Sequence, residues 1–311
     1  MFQKSAVIVC TACGIFGTAV GAQQAPPLFK SSVAAVPISA VVRDNRGRTV
    51  TTLKATDFEV RDNGEPKPIL TFAVDETMPL TIAVLVDTSG SMLLESKLAA
   101  ARQVVNDLSA SLRDGIDTIG VFTFDEALHE LNAFTEHPAS VETALSHAAP
   151  FGVTSLYDAI AETARRLDAR LTGRRAIIVV TDGVDTHSAL APADVSARAS
   201  AIDAPVYIVA TAPKIDQVNY VERAASPNAR SMADAQDLAL WTGGTLLWAS
   251  SAIDAAFASR QILTEIRHQY LIAVDSAGDG VWRRLDVRVR NSRLTVRARS
   301  GYFGRDLDPS R

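Results

Sequence analysis

The chain has 311 residues, of which 47% are hydrophobic and 21% are charged, a composition typical of a globular protein with one large domain or two moderate ones. Its formal net charge of −4 argues against a nucleic-acid-binding protein that depends on counterion release. Both cysteines, Cys10 and Cys13, lie near the start of the chain. The chain beyond them therefore has neither disulfides nor a catalytic thiol.

The first 22 residues resemble a secretory signal peptide. A short positive start, "MFQK", precedes an apolar stretch that ends in small residues, and we expect cleavage after Ala22 and then a linker over residues 23–32. The alternative is an uncleaved membrane anchor, because the apolar run approaches spanning length. A lipoprotein is disfavoured, because neither cysteine follows a Leu-rich, small-residue box. We therefore predict an exported protein that is periplasmic, held at the cell surface or secreted.

Residues 33–78 form the first structural segment of the predicted mature chain. Short β-branched runs are separated by turn signals at "RDNRGR" and "DNGEP", which predicts three or four antiparallel strands. Three or four short strands are too few to close a sandwich alone.

The pattern changes at Pro79, where "LTIAVLVDT" is a continuous apolar run, as in a strand buried on both faces. Up to residue 268, further strands at "DTIGVFTFD", "RAIIVVTDG", "PVYIVATA" and "TLLWAS" alternate with helices, with "HELNAFT" as an edge strand and residues 140–149 as one of the helices. This alternation predicts an α/β domain over residues 79–268, a doubly wound, mostly parallel sheet covered on both faces.

Residues 269–306 return to alternating apolar and polar positions. "YLIAVDS", "WRRLDVRVRN" and "LTVRARSGYF" predict three half-buried antiparallel strands, and residues 307–311 form a tail. Neither β-rich flank is large enough to bury a core by itself. We therefore predict that the two flanks pair into one small antiparallel β-sandwich, into which the α/β domain is inserted.

Oxygen-bearing side chains occur at three loops of the predicted α/β domain, two directly after a strand and one directly before a helix. The candidate metal ligands on these loops are Asp87, Ser89, Ser91, Thr154 and Asp182. Ligands of open α/β sheets bind beyond the carboxyl ends of the strands. Carboxylate and hydroxyl oxygens suit Mg²⁺, with Mn²⁺ or Ca²⁺ also possible, whereas Zn²⁺ is disfavoured because no Cys or His is nearby in sequence.

The charges of these ligands indicate a function. Two carboxylates only just neutralise a divalent cation, and the hydroxyls add no charge. If one aspartate acts through water, the ion keeps an open position that an Asp or Glu of a partner protein would fill. The site therefore favours a metal that recruits an acidic group.

The segments "VDTSGSM", "GVTSLYDAI" and "VVTDG", in this order, resemble the metal-ion-dependent adhesion site of von Willebrand factor type A domains, over about residues 79–268. The resemblance implies a doubly wound sheet and a metal bound by all five candidate ligands, with Asp182 often acting through water. It also implies that partner binding can couple to movement of the last helix, about residues 252–268. The two flanks resemble those of bacterial type A-related proteins described from acidobacteria, which supports bacterial export.

Simpler interpretations exist for several of these residues. "DTSGS" alone is compatible with a helix cap. We expect Asp185 to be a loop or capping residue, Asp158 to face solvent or cap locally, and His187 to be a solvated loop histidine. For the alternating arginines after Gln269, a solvated sheet face is favoured over an anion-binding surface.

Three functions compete at this stage. The favoured function is a non-enzymatic binding module that captures an acidic residue. A structural component of an envelope assembly, whose metal only stiffens loops, is the second. The third is a metal-dependent hydrolase that uses Asp87 and the ion to activate water. The loops offer no obvious general acid or base, and no G-x-S-x-G segment or P-loop is present, which disfavours the enzyme.

Overall fold

The structure is a computed structural model that describes residues 35–93, 95–141, 145, 152–170, 173–211, 227–275 and 280–304. The predicted signal segment, the linker, the tail and most of the predicted helix at residues 140–149 lie outside this part of the chain. Within it, no helix is both long and apolar enough to cross a membrane.

The described residues form fourteen strands and five α-helices. The strands are β1 (Ala35–Arg43), β2 (Phe58–Asp62), β3 (Glu65–Lys67), β4 (Ile69–Val74), β5 (Leu80–Asp87), β6 (Thr118–Phe124), β7 (Leu128–Thr135), β8 (Arg174–Thr181), β9 (Val206–Ala210), β10 (Leu246–Trp248), β11 (Tyr270–Asp275), β12 (Trp282–Val289), β13 (Thr295–Arg297) and β14 (Gly301–Phe303). The helices are α1 (Glu95–Ser111), α2 (Leu156–Asp168), α3 (Pro192–Ala201), α4 (Pro227–Trp241) and α5 (Ala252–Arg267).

The central sheet has six strands in the order β10-β9-β8-β5-β6-β7, and only the edge strand β7 runs antiparallel to its neighbour. All eight residues of β5 are buried, as the continuous apolar run predicted. Helices α1 and α5 pack on one face of the sheet, and α2, α3 and α4 pack on the other. The predicted doubly wound α/β fold is confirmed. Strand order reverses between β5 and β8, so their carboxyl ends border the crevice where such sheets bind ligands.

The two flanks interleave to form two four-stranded antiparallel sheets. One has the order β13-β1-β11-β4 and the other β14-β12-β2-β3, so each sheet takes strands from before and after the α/β domain. Ile38, Phe58, Tyr270, Leu285 and Tyr302 belong to one shared hydrophobic core. The predicted β-sandwich is confirmed, and neither flank contributes a complete sheet to it.

The last predicted strand, residues 294–303, requires a correction, because it is two strands, β13 and β14, that belong to different sheets. In the connection, the buried Arg299 donates hydrogen bonds to the backbone carbonyls of Ser200 and Pro37. A Cβ atom on Gly301 would lie 2.4 Å from the Trp282 ring, so this position requires glycine. An alternating pattern cannot reveal this crossing, because each of the two strands is only three residues long.

The sandwich and the α/β domain are tied together at the C-terminal end of α5. The fully buried Glu265 forms ion pairs with Arg43 of β1 and Arg297 of β13. Arg174, at the start of β8, donates a hydrogen bond of 3.0 Å to the backbone carbonyl of Gln269. Removing one partner of a buried ion pair typically costs about 3–5 kcal/mol. The amino-terminal edge of the sheet is therefore firmly attached to the sandwich.

Truncation after Gln269 tests whether the sandwich needs both flanks. It removes β11 to β14, which leaves β1 without both of its neighbours and exposes the sandwich core. We expect limited proteolysis, followed by mass spectrometry of the fragments, to show rapid cleavage within residues 35–74, whereas the full chain resists under the same conditions. Equal resistance of residues 35–74 in both proteins would contradict the interleaved sandwich.

Candidate metal centre

The first loop places one carboxylate and two hydroxyls on a tight turn. Asp87 ends β5 and is fully buried. Its Oδ1 accepts a hydrogen bond of 2.8 Å from the backbone N–H of Ser89, and its Oδ2 accepts one of 2.6 Å from the hydroxyl of Thr181. The hydroxyl oxygens of Ser89 and Ser91 lie 3.0 Å apart. The predicted spacing therefore brings these three side chains to one turn at the end of the central strand.

The second loop contacts the first through the backbone. The N–H of Gly90 donates a hydrogen bond of 3.1 Å to the carbonyl of Gly152, two residues before Thr154. Gly152 has a φ of +88°, a conformation that favours glycine. Thr154 is 3% exposed and lies just before α2. This candidate ligand is thus held next to the loop that carries the serines.

The third loop closes the arrangement. The backbone N–H groups of Thr186 and His187 donate to the carbonyl of Thr154 at 2.9 and 3.0 Å. In return, the N–H of Thr154 donates to the Thr186 hydroxyl at 3.0 Å. Asp182 follows β8 directly and is 5% exposed. Since Thr181 also reaches Asp87 on the first loop, each of the three loops contacts the other two.

Burial raises the pKa of one candidate carboxylate and leaves an oxygen of the other without a hydrogen-bond partner among the described residues. Desolvation raises the pKa of Asp87 to about 6, although hydrogen bonds from Thr181 and Ser89 oppose this shift, and the nearby charge of Asp182 contributes a further increase. One oxygen of Asp182, Oδ1, is buried and has no hydrogen-bond partner among the described residues. Its other oxygen accepts a hydrogen bond of 2.8 Å from the ammonium of Lys97. A buried carboxylate oxygen without a partner is costly.

These observations fit a bound cation. A metal ion, or a water bound to it, would satisfy Asp182 Oδ1 and would reduce the cost of burying Asp87. Two carboxylates and three hydroxyls are hard oxygen donors, as Mg²⁺, Mn²⁺ and Ca²⁺ prefer. No cluster of three or more His, Cys, Asp or Glu side chains suited to a metal occurs in the part of the chain that the structure describes. The candidate set differs from such clusters because most of its donors are hydroxyls.

The neighbouring acidic residues support the loops. Asp185 Oδ1 accepts hydrogen bonds from the backbone N–H of Leu156 and the hydroxyl of Ser188, at 2.8 and 2.6 Å, so it caps α2. Asp158 was expected to face solvent or cap locally, and this was wrong. Its carboxylate accepts from the backbone N–H groups of residues 189 and 190, at 2.9 and 3.0 Å, and so fixes the segment after the third loop.

Two contributors were missed in the sequence. Thr181 had a signal, because it is the last residue of a buried strand and directly precedes Asp182. Lys97 also had a sequence signal, since it lies in the first turn of α1, where the helix dipole disfavours a cation. A lysine at such a position calls for a carboxylate partner, but the sequence does not show which one.

Residues 82–184 match the von Willebrand factor type A domain family. All five candidate ligands lie within this range. The match supports a type A domain in the middle of the chain, inside the predicted α/β domain. No curated protein matches the chain.

Several solved structures are similar to the chain. An aerotolerance-related membrane protein from Bacteroides fragilis NCTC 9343 has 19% identity and a TM-score of 0.48, over 60% of this chain and 98% of that one. BatB from Bacteroides thetaiotaomicron has 19% identity and a TM-score of 0.47, with the same coverage of 60% and 98%. Proximal thread matrix protein 1 from the mussel byssus, described with a zinc-occupied MIDAS motif, has 15% identity and a TM-score of 0.47, over 65% and 48% of the two chains.

The raised pKa of Asp87 predicts a pH-dependent stability of the metal-free protein. The folded state binds a proton on Asp87 with a pKa of about 6, against an ordinary value of 3.8. The free energy of unfolding should therefore fall as the pH rises from about 4 to about 7, by up to roughly 3 kcal/mol for a shift of this size. Urea denaturation in chelator at several pH values measures this effect.

Asp87→Asn should remove this part of the pH dependence, because the amide does not titrate. Asp168→Asn, which changes a carboxylate that is 67% exposed at the end of α2, is the matched control and should behave as the wild type. Identical pH profiles for the wild type and Asp87→Asn would contradict the raised pKa of Asp87.

Proposed function

We propose that this protein is an exported, non-enzymatic binding module that captures an acidic residue of a protein partner through a divalent cation. Asp87, Ser89, Ser91, Thr154 and Asp182 would hold the cation, with Mg²⁺ as the first candidate and Mn²⁺ or Ca²⁺ as alternatives. The proposal rests on the mutual contacts of the three loops that carry the candidate ligands, together with a buried oxygen of Asp182 that has no partner among the described residues. The type A domain match over residues 82–184 supports it.

The charge of the donor set explains why an acidic residue would be captured. The cation supplies a positive charge that attracts anionic oxygen. Asp87 and Asp182 together only balance a dication, and the hydroxyls of the serines and of Thr154 add none. Because a hard cation prefers charged oxygen ligands, a carboxylate from outside competes well with water for an open position.

The surface beside the loops suits a protein partner. Ser91 is exposed, whereas Asp87, Ser89 and Thr154 are buried, so the site opens to solvent on the side of Ser91. Two apolar side chains next to the ligands in sequence are also exposed, Leu93 by 68% and Val153 by 39%. Exposed apolar groups at the rim of a charged site favour a protein surface over a free ion as the natural ligand.

The first experiment measures cation binding by isothermal titration calorimetry with MgCl₂, MnCl₂ and CaCl₂. We expect the wild type to bind at least one of these ions at millimolar concentration or below. Asp87→Ala should weaken binding by at least about 100-fold, since even the outer partners of metal ligands contribute about 10–100-fold. Asp168→Ala, the exposed control, should bind as the wild type. Absence of binding heat for all three ions in the wild type would refute the metal site.

The second experiment tests capture with a pull-down from an envelope extract, in Mg²⁺ and in chelator. Leu93→Ser is the informative variant, because it should keep cation affinity and melting temperature but retain less partner. Partner binding that survives chelator would contradict capture through the ion. Unchanged partner binding in Asp87→Ala, with a lowered melting temperature, would indicate a metal that only stiffens loops. Turnover of phosphoester or peptide substrates that is lost in Asp87→Ala would indicate a hydrolase.

A further inference from the structure

We propose that Lys97 is an internal counter-ion of the metal site, which holds the loops together before a cation binds and lowers the affinity for that cation. The inference rests on the proposed function, because it concerns the same site. It assigns to this lysine a role in setting the cation concentration at which the site fills.

The contacts of Lys97 bridge two of the three loops. Its ammonium lies 2.8 Å from Asp182 Oδ2, after β8, and 2.9 Å from the backbone carbonyl of Ser91, on the first loop. The side chains are largely withdrawn from solvent, with 14% of Lys97 and 7% of Asp182 exposed. This ion pair is therefore screened less than a surface pair. It occupies the carboxylate that the proposed metal would use.

The position of Lys97 on its helix argues for a specific role. It is the third residue of α1, where the helix dipole presents positive charge and a cation is unfavourable. The helix dipole therefore does not account for a lysine here. The pairing with Asp182 and the Ser91 carbonyl offsets the unfavourable placement, so the lysine serves the loops rather than the helix.

A dication at this site must compete with the ammonium for Asp182. Two positive groups that share one carboxylate in a partly buried site repel each other. Cation binding therefore either displaces the ammonium from Asp182 or occurs beside it at an electrostatic cost. Both routes lower the affinity of the site relative to the same loops without the lysine charge. In the metal-free form Lys97 alone bridges the loops, and in the loaded form the cation shares or replaces its contact with Asp182.

Replacing Lys97 tests this role. Lys97→Met keeps an unbranched apolar stem and removes the charge, and Lys97→Gln also removes the charge but keeps a hydrogen-bond donor. Lys97→Arg keeps the charge. Lys54→Met removes a lysine charge from an exposed position of the sandwich, so it is the control for the change in net charge. Calorimetry with MgCl₂ and with MnCl₂ gives the affinity of each variant, and thermal unfolding in chelator gives the stability of the metal-free form.

We expect Lys97→Met and Lys97→Gln to bind the cation on the order of ten-fold more tightly than the wild type, since one like charge is removed. In chelator, Lys97→Met should melt at a lower temperature than the wild type, because Asp182 loses its ammonium partner. The added cation should restore this loss, since a ligand that binds only the folded state stabilises it. Lys97→Arg and Lys54→Met should remain within about two-fold of the wild-type affinity.

The outcomes separate this inference from the proposed function. A wild type that binds cation while Lys97→Met and Lys97→Gln bind equally or more weakly would overturn the counter-ion role and leave the metal site intact. Equal tightening in Lys54→Met would also overturn it, because net charge alone would then explain the effect. Absence of binding in the wild type and in every variant would refute the metal site itself. If Lys97→Met fails to fold in chelator, the affinity of Lys97→Gln decides.

Discussion

Two carboxylates buried side by side at the edge of an apolar sheet are the constraint on which the rest of the site depends. The register of β5 and β8 pairs Val86 with Val180, so Asp87 and Thr181 follow as neighbours and Asp182 comes next. Burying a carboxylate is expensive unless it is paired or hydrogen-bonded. Neighbouring groups supply this compensation, namely the Thr181 hydroxyl at the end of β8, the Ser89 N–H on the first loop and the Lys97 ammonium of α1. One oxygen of Asp182 still has no partner among the described residues, which makes the site a candidate for a cation.

The rest of the fold holds this edge of the sheet in place. The sandwich attaches to the amino-terminal edge through Glu265 and its two arginine partners, while the candidate metal loops lie at the carboxyl edge. Arg174, the first residue of β8, donates hydrogen bonds to the backbone carbonyls of Ile266 and Arg267 at the end of α5. A movement of the last helix, which the family resemblance implies, would have to break these buried contacts. The structure therefore favours candidate metal loops that stand on a rigid base.

The sequence predicted the fold because each signal was local, and it placed the five candidate ligands on loops that the structure brings into mutual contact. A continuous apolar run marks β5, and oxygen-bearing residues stand directly after strands whose ends must meet in a parallel sheet. It did not predict the Lys97–Asp182 pair, because that contact joins residues 85 positions apart through loop geometry. It also missed the division of residues 294–303 into two strands, since three-residue strands are too short for alternation to assign them to a sheet. The contacts of Asp158 were also missed because they are distant in sequence, since its partners lie 31 and 32 positions away.

Electron paramagnetic resonance of Mn²⁺ tests most directly whether three separate loops hold one hard cation. The account predicts that one equivalent of Mn²⁺ binds per chain, that excess Mg²⁺ displaces it, and that Thr154→Val weakens binding by at least about ten-fold although it changes no charge. Thr154 is the informative position, because it is the candidate ligand on the second loop. Its hydroxyl can contact the cation only if this loop lies beside the other two. Mn²⁺ binding that is unchanged in Thr154→Val, or absent from the wild type, would contradict the account.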